Sequence, residues 1–208
     1  MNPFLIAIIG ANVLFSYKGL NDNTFLRKNE FHIGSIRAGE QHRMFTSAFL
    51  HIDYAHLFFN MFTLYMFAPQ VIGGLGSFSF VLIYVGSLIC GSLLTMYFHQ
   101  DDFSYRALGA SGAVVGIIFS SILLNDNLLF FGFIPGSIYG LIYLLSSIYG
   151  MKAKNDNIGH TAHFGGAIGG YAITLFKEPS LLTDNTFMVI VLAVPIVLLF
   201  MLEKSGKL

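Results

Sequence analysis

Charge is scarce in this chain: only 11% of its 208 residues are Asp, Glu, Lys or Arg, where soluble domains carry about a quarter. A water-soluble fold of this composition would expose large apolar patches, which argues against that class. The 11 basic and 11 acidic residues cancel, and no Lys/Arg stripe or basic tail is present, so no nucleic-acid partner is expected. Cysteine occurs once, as Cys90. That rules out an internal disulfide and every multi-cysteine metal site. Within its apolar run Cys90 reads as a small packing residue. No H-E-x-x-H occurs, which excludes a membrane-embedded zinc protease. No aspartate falls inside an apolar run, which excludes a two-aspartate protease.

Apolar residues are abundant instead, at 55% of the chain with a mean hydropathy of +0.69. They fall in runs separated by polar breaks. The reading is an all-α membrane protein, one transmembrane domain over 1–208, with room for six or seven spans of about 20 residues. Span one covers about 3–18 and contains Asn12; no basic residue precedes it, so it reads as retained rather than as a cleaved signal. Residues 19–54 are too polar to cross lipid but carry many aromatic and aliphatic residues, which suggests short interfacial helices. Span two (55–73) and span three (78–98) are joined by a tight GGLGS turn. Span four begins near Ser111, span five covers 130–150 with a break expected near its start at Pro135-Gly136, the loop MKAKNDN covers 151–157, and span six covers 159–176. Span seven (186–202) contains Pro195, which membrane helices tolerate. The runs do not alternate as barrel strands do, and no two similar halves mark a transporter.

Polar side chains at membrane depth are costly and tend to carry function. Those inside the runs are His56, Asn60, Ser111, His160 and His163. Ser111 lies in Gly109-Ala110-Ser111-Gly112, where a polar loop meets an apolar helix. Small neighbours let other backbone approach the hydroxyl, and a helix N-terminus offers free N–H groups to a developing oxyanion. Alone, this tetrapeptide reads equally as a capping serine among packing glycines. His163 precedes Gly165/Gly169 and Gly166/Gly170, two pairs at a spacing of four that permit close helix contact. Gly112 and Gly116 on span four offer a matching stripe. If these faces meet, His163 can lie beside Ser111 and activate it; alone, it reads as an interhelical hydrogen bond. His56 and Asn60 share a helix face and form either an oxyanion-binding pair or a polar tie between helices. His160 is expected to bond the loop above it. His32, His42, His51 and His99 are expected at the interface or in solvent.

Taken together, His56-x-x-x-Asn60, Gly109-x-Ser111-Gly112 and Ala162-His163-x-x-Gly166 resemble the rhomboid proteases over about residues 40–175. The resemblance implies a six-helix transmembrane bundle with a core over about 40–176 and an additional C-terminal seventh helix at 186–202. It implies Ser111 as nucleophile, His163 as general base and acid, and no third acidic member. His56, Asn60 and the Ser111 backbone N–H would hold the oxyanion, with Gly109, Gly112, Gly166, Gly170 and Arg43 in support. Substrates would be single-span membrane proteins cut near the membrane face, and the resemblance implies neither a metal nor a cofactor. The site would open toward the extracytoplasmic side, of the inner membrane in a bacterium. Span five and the 151–157 loop are both candidates for the element that admits substrate. The alternative is a catalytically silent relative that binds membrane clients; such relatives typically lack the serine or the histidine.

Three features depart from the family pattern. The Trp-Arg pair of the first loop is His42-Arg43 here, and the chain has no tryptophan. A tyrosine that some members carry one turn after the serine is Val115, so His163 must be oriented by something else. The seventh span lies beyond the usual core. The Lys and Arg residues of the first loop and of 151–157 also oppose the expected orientation under the positive-inside rule.

Overall fold

The computed structural model describes residues 2–153 and 158–208. Helix α1 (Pro3–Asn21) is opened by Asn2, whose side chain accepts the N–H groups of Phe4 and Leu5. Asn12 is fully buried, and its amide donates to the Ile8 carbonyl at 2.8 Å and to the Tyr84 hydroxyl at 3.2 Å. A polar residue in the middle of an apolar run therefore fastens α1 to the rest of the bundle.

The mixed segment folds into short pieces: α2 (Asn23–Asn29), β1 (Phe31–His32), α3 (Ile33–Arg37), α4 (Arg43–Thr46) and a 3-10 turn at Ser47–Phe49. A small apolar cluster of Phe31, Ile33 and Ile36 holds it together. Buried Arg43 is its polar anchor, donating to the carbonyls of Arg27 (2.7 Å) and Glu30 (3.1 Å) and to the Glu40 carboxylate (2.6 Å). His42 is exposed, so the arginine alone carries the anchoring.

Helix α5 (Tyr54–Phe98) contains both the second and third expected spans. Of the expected GGLGS turn only Gly76 leaves helical geometry, at φ 84° and ψ 165°, a conformation that glycine alone adopts cheaply. The chain reverses there. Its first half passes from His56, beside Gly109, to Gly74, beside Leu124; its second half returns to Thr95, bonded to Thr161. β2 (Arg106–Ala107) pairs antiparallel with β1 and ties the loop before the serine to the first loop.

Helix α6 (Ser111–Leu124) is the centre of the bundle, with every residue from Gly112 to Leu123 buried. A hairpin of β3 (Leu129–Phe130) and β4 (Ile134–Pro135) follows. It occupies the start of the expected fifth span, so that helix, α7 (Gly136–Ala153), begins at Gly136 instead of 130. Pro135 explains the boundary: it has no N–H to donate and holds the preceding residue extended. Of the expected 151–157 loop, 151–153 complete α7 and 154–157 lie outside the described residues. The chain ends with α8 (His160–Lys177), α9 (Leu181–Asp184) and α10 (Thr186–Lys204), the last running through Pro195.

The all-α membrane bundle is thus observed, with two-residue ladders the only sheet among the described residues. Helices α1, α5 and α10 are long and apolar enough to cross a membrane, and the 45 residues of α5 suffice for two crossings.

Glycine rows set the packing of α8. A Cβ on Gly166 or Gly170 would collide with the carbonyls of Gly112 and Gly116 on α6. A Cβ on Gly165 or Gly169 would lie 2.8 Å from the Cα of Gly91 or Ser87 on α5. The two pairs of fourfold spacing therefore face two different helices, and α8 is wedged between them at backbone contact.

Candidate active site

Helix α6 has 14 residues, about 21 Å at 1.5 Å per residue, against about 30 Å of hydrocarbon. Its first turn is level with Gly91 of α5, since Gly112 and Gly91 both face the Ala162 carbonyl, and α5 runs on past that level to Phe98. A cavity of about 930 Å³ opens at this turn, lined by His56, Asn60, Gly109, Ser111, Ala162 and His163 among others. The close approach of α6 and α8 brings the first turn of α8 against the first turn of α6. There His163 Nε2 lies 2.7 Å from Ser111 Oγ. The two residues expected to meet do meet, 52 positions apart in sequence.

Ser111 is the first helical residue after Ala110, so its N–H belongs to the first-turn donors that have no intrahelical acceptor. The loop before it is held tightly. Gly109 N–H donates to the Ser47 carbonyl at 3.0 Å, and Ala110 N–H donates to His51 Nε2 at 3.3 Å. Gly109 has φ +132°, and a Cβ on it would stand 2.8 Å from the His56 ring. Glycine is required there both by conformation and by space.

His56 and Asn60 lie on one face of α5 and both line the cavity. Asp53 caps this helix by accepting the His56 N–H at 2.7 Å. Buried Asn60 donates one amide hydrogen to the His56 carbonyl at 2.9 Å. Among the described residues His56 Nδ1 is buried and has no hydrogen-bond partner, while the Cε1–Nε2 edge of the ring faces Gly109.

His51 corrects the expectation of a solvated residue. It is fully buried, with its ring 4.9 Å from that of His56 at 73°. Ser16 Oγ donates to the Phe49 carbonyl at 3.0 Å and stands 2.8 Å from His51 Nδ1. Nδ1 therefore carries the hydrogen, and Nε2 accepts from Ala110. Burial, reinforced by the neighbouring His56, pushes the His51 pKa down to about 3, with Asp53 opposing. A neutral histidine is what both of its hydrogen bonds require. Two other histidines are also placed by contacts: His32 is half-buried and caps α3 through Ser35, and the His99 ring stacks on Tyr105 at 3.8 Å. His160 packs against α7 at Gly150, where a Cβ would strike its ring.

Tyr143 on α7 was not singled out in the sequence. Its hydroxyl lies 3.0 Å from His163 Nδ1. The available signal was a polar tip in an apolar run, one turn beyond Tyr139. The residue one turn after the serine, Val115, is buried and apolar. At the cavity mouth Glu30 is buried and paired with Arg27 (3.2 Å) and with Arg106. Among the described residues no cluster of His, Cys, Asp and Glu gathers as a metal ion would need.

Comparison with known proteins gives a consistent picture. The Rhomboid domain family model matches residues 38–179. The chain is 33% identical over 141 residues to YdcA of Bacillus subtilis, covering 67% of this chain and 68% of that one. It is 33% identical over 138 residues to the rhomboid protease GluP of Bacillus subtilis, covering 65% of this chain and 26% of GluP. To the mitochondrial RHOMBOID-like protein 12 of Arabidopsis thaliana it is 27% identical over 181 residues, or 78% of this chain. The chain spans about half (54%) of the length of that relative.

Proposed function

The chain belongs to the rhomboid family of integral membrane proteins, and from that premise we propose that it is a serine endopeptidase cutting single-span membrane proteins within the bilayer, near its face. The observation that carries the reading is the 2.7 Å contact between His163 Nε2 and Ser111 Oγ beneath an open cavity. Such a pair passes a proton from hydroxyl to imidazole as the oxygen attacks a carbonyl. His163 then returns that proton to the leaving amine, leaving an acyl-enzyme on Ser111. Water, deprotonated by the same imidazole, hydrolyses the ester and restores the serine. The negative charge on the carbonyl oxygen in each step would fall between the Ser111 N–H, the Asn60 amide and His56.

The cavity lining includes the small residues Gly91, Gly112, Ala113, Gly159 and Ala162, which leave room for a substrate side chain. A helical substrate must unwind to reach it, because helical carbonyls are bonded within the helix. The cavity opens to the extracytoplasmic side in this reading.

The test uses purified protein in detergent with a generic single-span substrate. Wild type should cleave it, and Ser111→Ala and His163→Ala should fold and not cleave. A fluorophosphonate probe should label Ser111 and no other serine. Wild type that binds substrate but neither cleaves it nor takes the label would mark a silent client-binding relative instead.

A further inference from the structure

We propose that Tyr143 is the positioning residue that holds His163 in its reactive tautomer; the inference rests on the serine-protease reading above. A histidine that serves as base through one ring nitrogen needs the other nitrogen fixed. No Asp or Glu lies within the spans to do this, and Val115, one turn below Ser111 on α6, has no polar atom to offer. The contact comes from a different helix. Tyr143 Oη on α7 lies 3.0 Å from His163 Nδ1, with the rings 6.3 Å apart at 27°.

The direction of this hydrogen bond follows from the chemistry. Nε2 must be unprotonated to accept the Ser111 proton, so Nδ1 carries the hydrogen and the Tyr143 oxygen accepts it. A phenolic oxygen can accept as well as donate. When Nε2 gains the serine proton, Nδ1–H remains donated to the same oxygen, so the ring need not turn during the transfer. The opposite polarity, with Tyr143 donating to Nδ1, would put the hydrogen on Nε2 and leave no base.

Tyr143 is itself held by aromatic contacts. Its ring lies 6.0 Å from Tyr139 and 6.1 Å from Phe119. Tyr139 stacks on Phe130 of the β3–β4 hairpin at 3.7 Å and 3°, and Phe130 stacks on Phe67 of α5 at 5.4 Å. This column rises from α5 through the hairpin and along the inner side of α7 to the imidazole. The orientation of His163 therefore depends on α7 being seated against α8.

Tyr143→Phe keeps the ring stack and removes only the oxygen. The expected result is a fall in kcat of about 5–30-fold, the worth of one orienting hydrogen bond, with KM within about twofold of wild type. The rate of fluorophosphonate labelling at Ser111 should fall by the same factor, and the thermal midpoint should stay. Nitrogen-15 NMR of wild type should place the neutral-ring hydrogen of His163 on Nδ1, with mixed tautomers in Tyr143→Phe. A variant whose kcat and labelling rate match wild type, while Ser111→Ala abolishes both, overturns the role of Tyr143 and leaves the serine reading intact. A wild-type tautomer with the hydrogen on Nε2 overturns it independently of the variant. Cleavage that survives Ser111→Ala overturns both.

Discussion

Asn60 meets the cavity with one amide hydrogen committed to the His56 carbonyl, which leaves its second for the oxyanion. Asn60→Ala should therefore lower turnover by about 10–1000-fold, as for one oxyanion-hole donor. Cleavage at the wild-type rate in that variant removes Asn60 from the assignment. His51 sets a different dependence. Its folded pKa is near 3, against 6.5 for an exposed histidine. The unfolded chain thus binds the extra proton first as pH falls. The stability supplied by neutral His51 is complete above about pH 6.5 and drains away toward pH 3, by up to about 1.4 kcal/mol per pH unit. Unfolding midpoints in detergent from pH 7 to pH 4 should fall for wild type and fall less steeply for His51→Gln. Parallel curves for the two proteins would show that another group governs acid sensitivity. Ser111, His163, His56 and Asn60 were legible in the sequence because polar side chains in apolar runs are few. His51 was not, because a histidine in a polar loop gives no sign of being buried.

Among the helices, α8 has the least tolerance. Gly166 and Gly170 stand where a side chain would meet α6 backbone, which cannot yield as a flexible side chain can. Gly166→Val should destabilise the fold by at least about 2 kcal/mol and abolish cleavage by parting Ser111 from His163. Gly10→Ala on α1, where nothing stands within 4 Å of the new methyl, should behave as wild type. A matching loss in both variants would mean that the α6–α8 contact is not the cause, since alanine is a better helix former than glycine and meets nothing at position 10. The glycine spacing announced a close-packed helix, but not that its two rows face separate partners. The boundary of α7 was legible in part: Pro135-Gly136 marks a break near the start of the expected span, but the apolar residues before it give no sign that they pair as a hairpin.

Across the bundle, charge is concentrated at the cavity end. Arg27, Arg37, Arg43 and Arg106 stand on the short elements α2, α3, α4 and β2 there, and Tyr97 donates to Glu203 at 2.5 Å, which brings the last turn of α10 to the same end. The positive-inside rule would turn this face to the cytoplasm, whereas the proposed orientation turns it outward. Many of these cations are spent on the fold. Arg43 is buried on backbone carbonyls, Arg106 is paired with Glu30, and Arg37 donates to the Gln100 carbonyl at 2.8 Å. Single cysteines introduced as Asp101→Cys near the cavity and Asp126→Cys at the other end, in a Cys90→Ala background, decide the matter. In intact cells a membrane-impermeant maleimide should label the first and spare the second; the reverse pattern would invert the topology.

Composition and order alone determined that this chain is a helical membrane bundle and which polar residues could matter in it, because lipid forces backbone groups to pair internally and makes each buried polar side chain conspicuous. Tertiary structure decided which of them touch. The kink at Gly76 and the wedging of α8 on its glycines place Ser111 against His163. The burial of His51 and the reach of Tyr143 to Nδ1 came with them. Such contacts between distant segments depend on packing distances of a few tenths of an ångström, and no pattern along one segment encodes them.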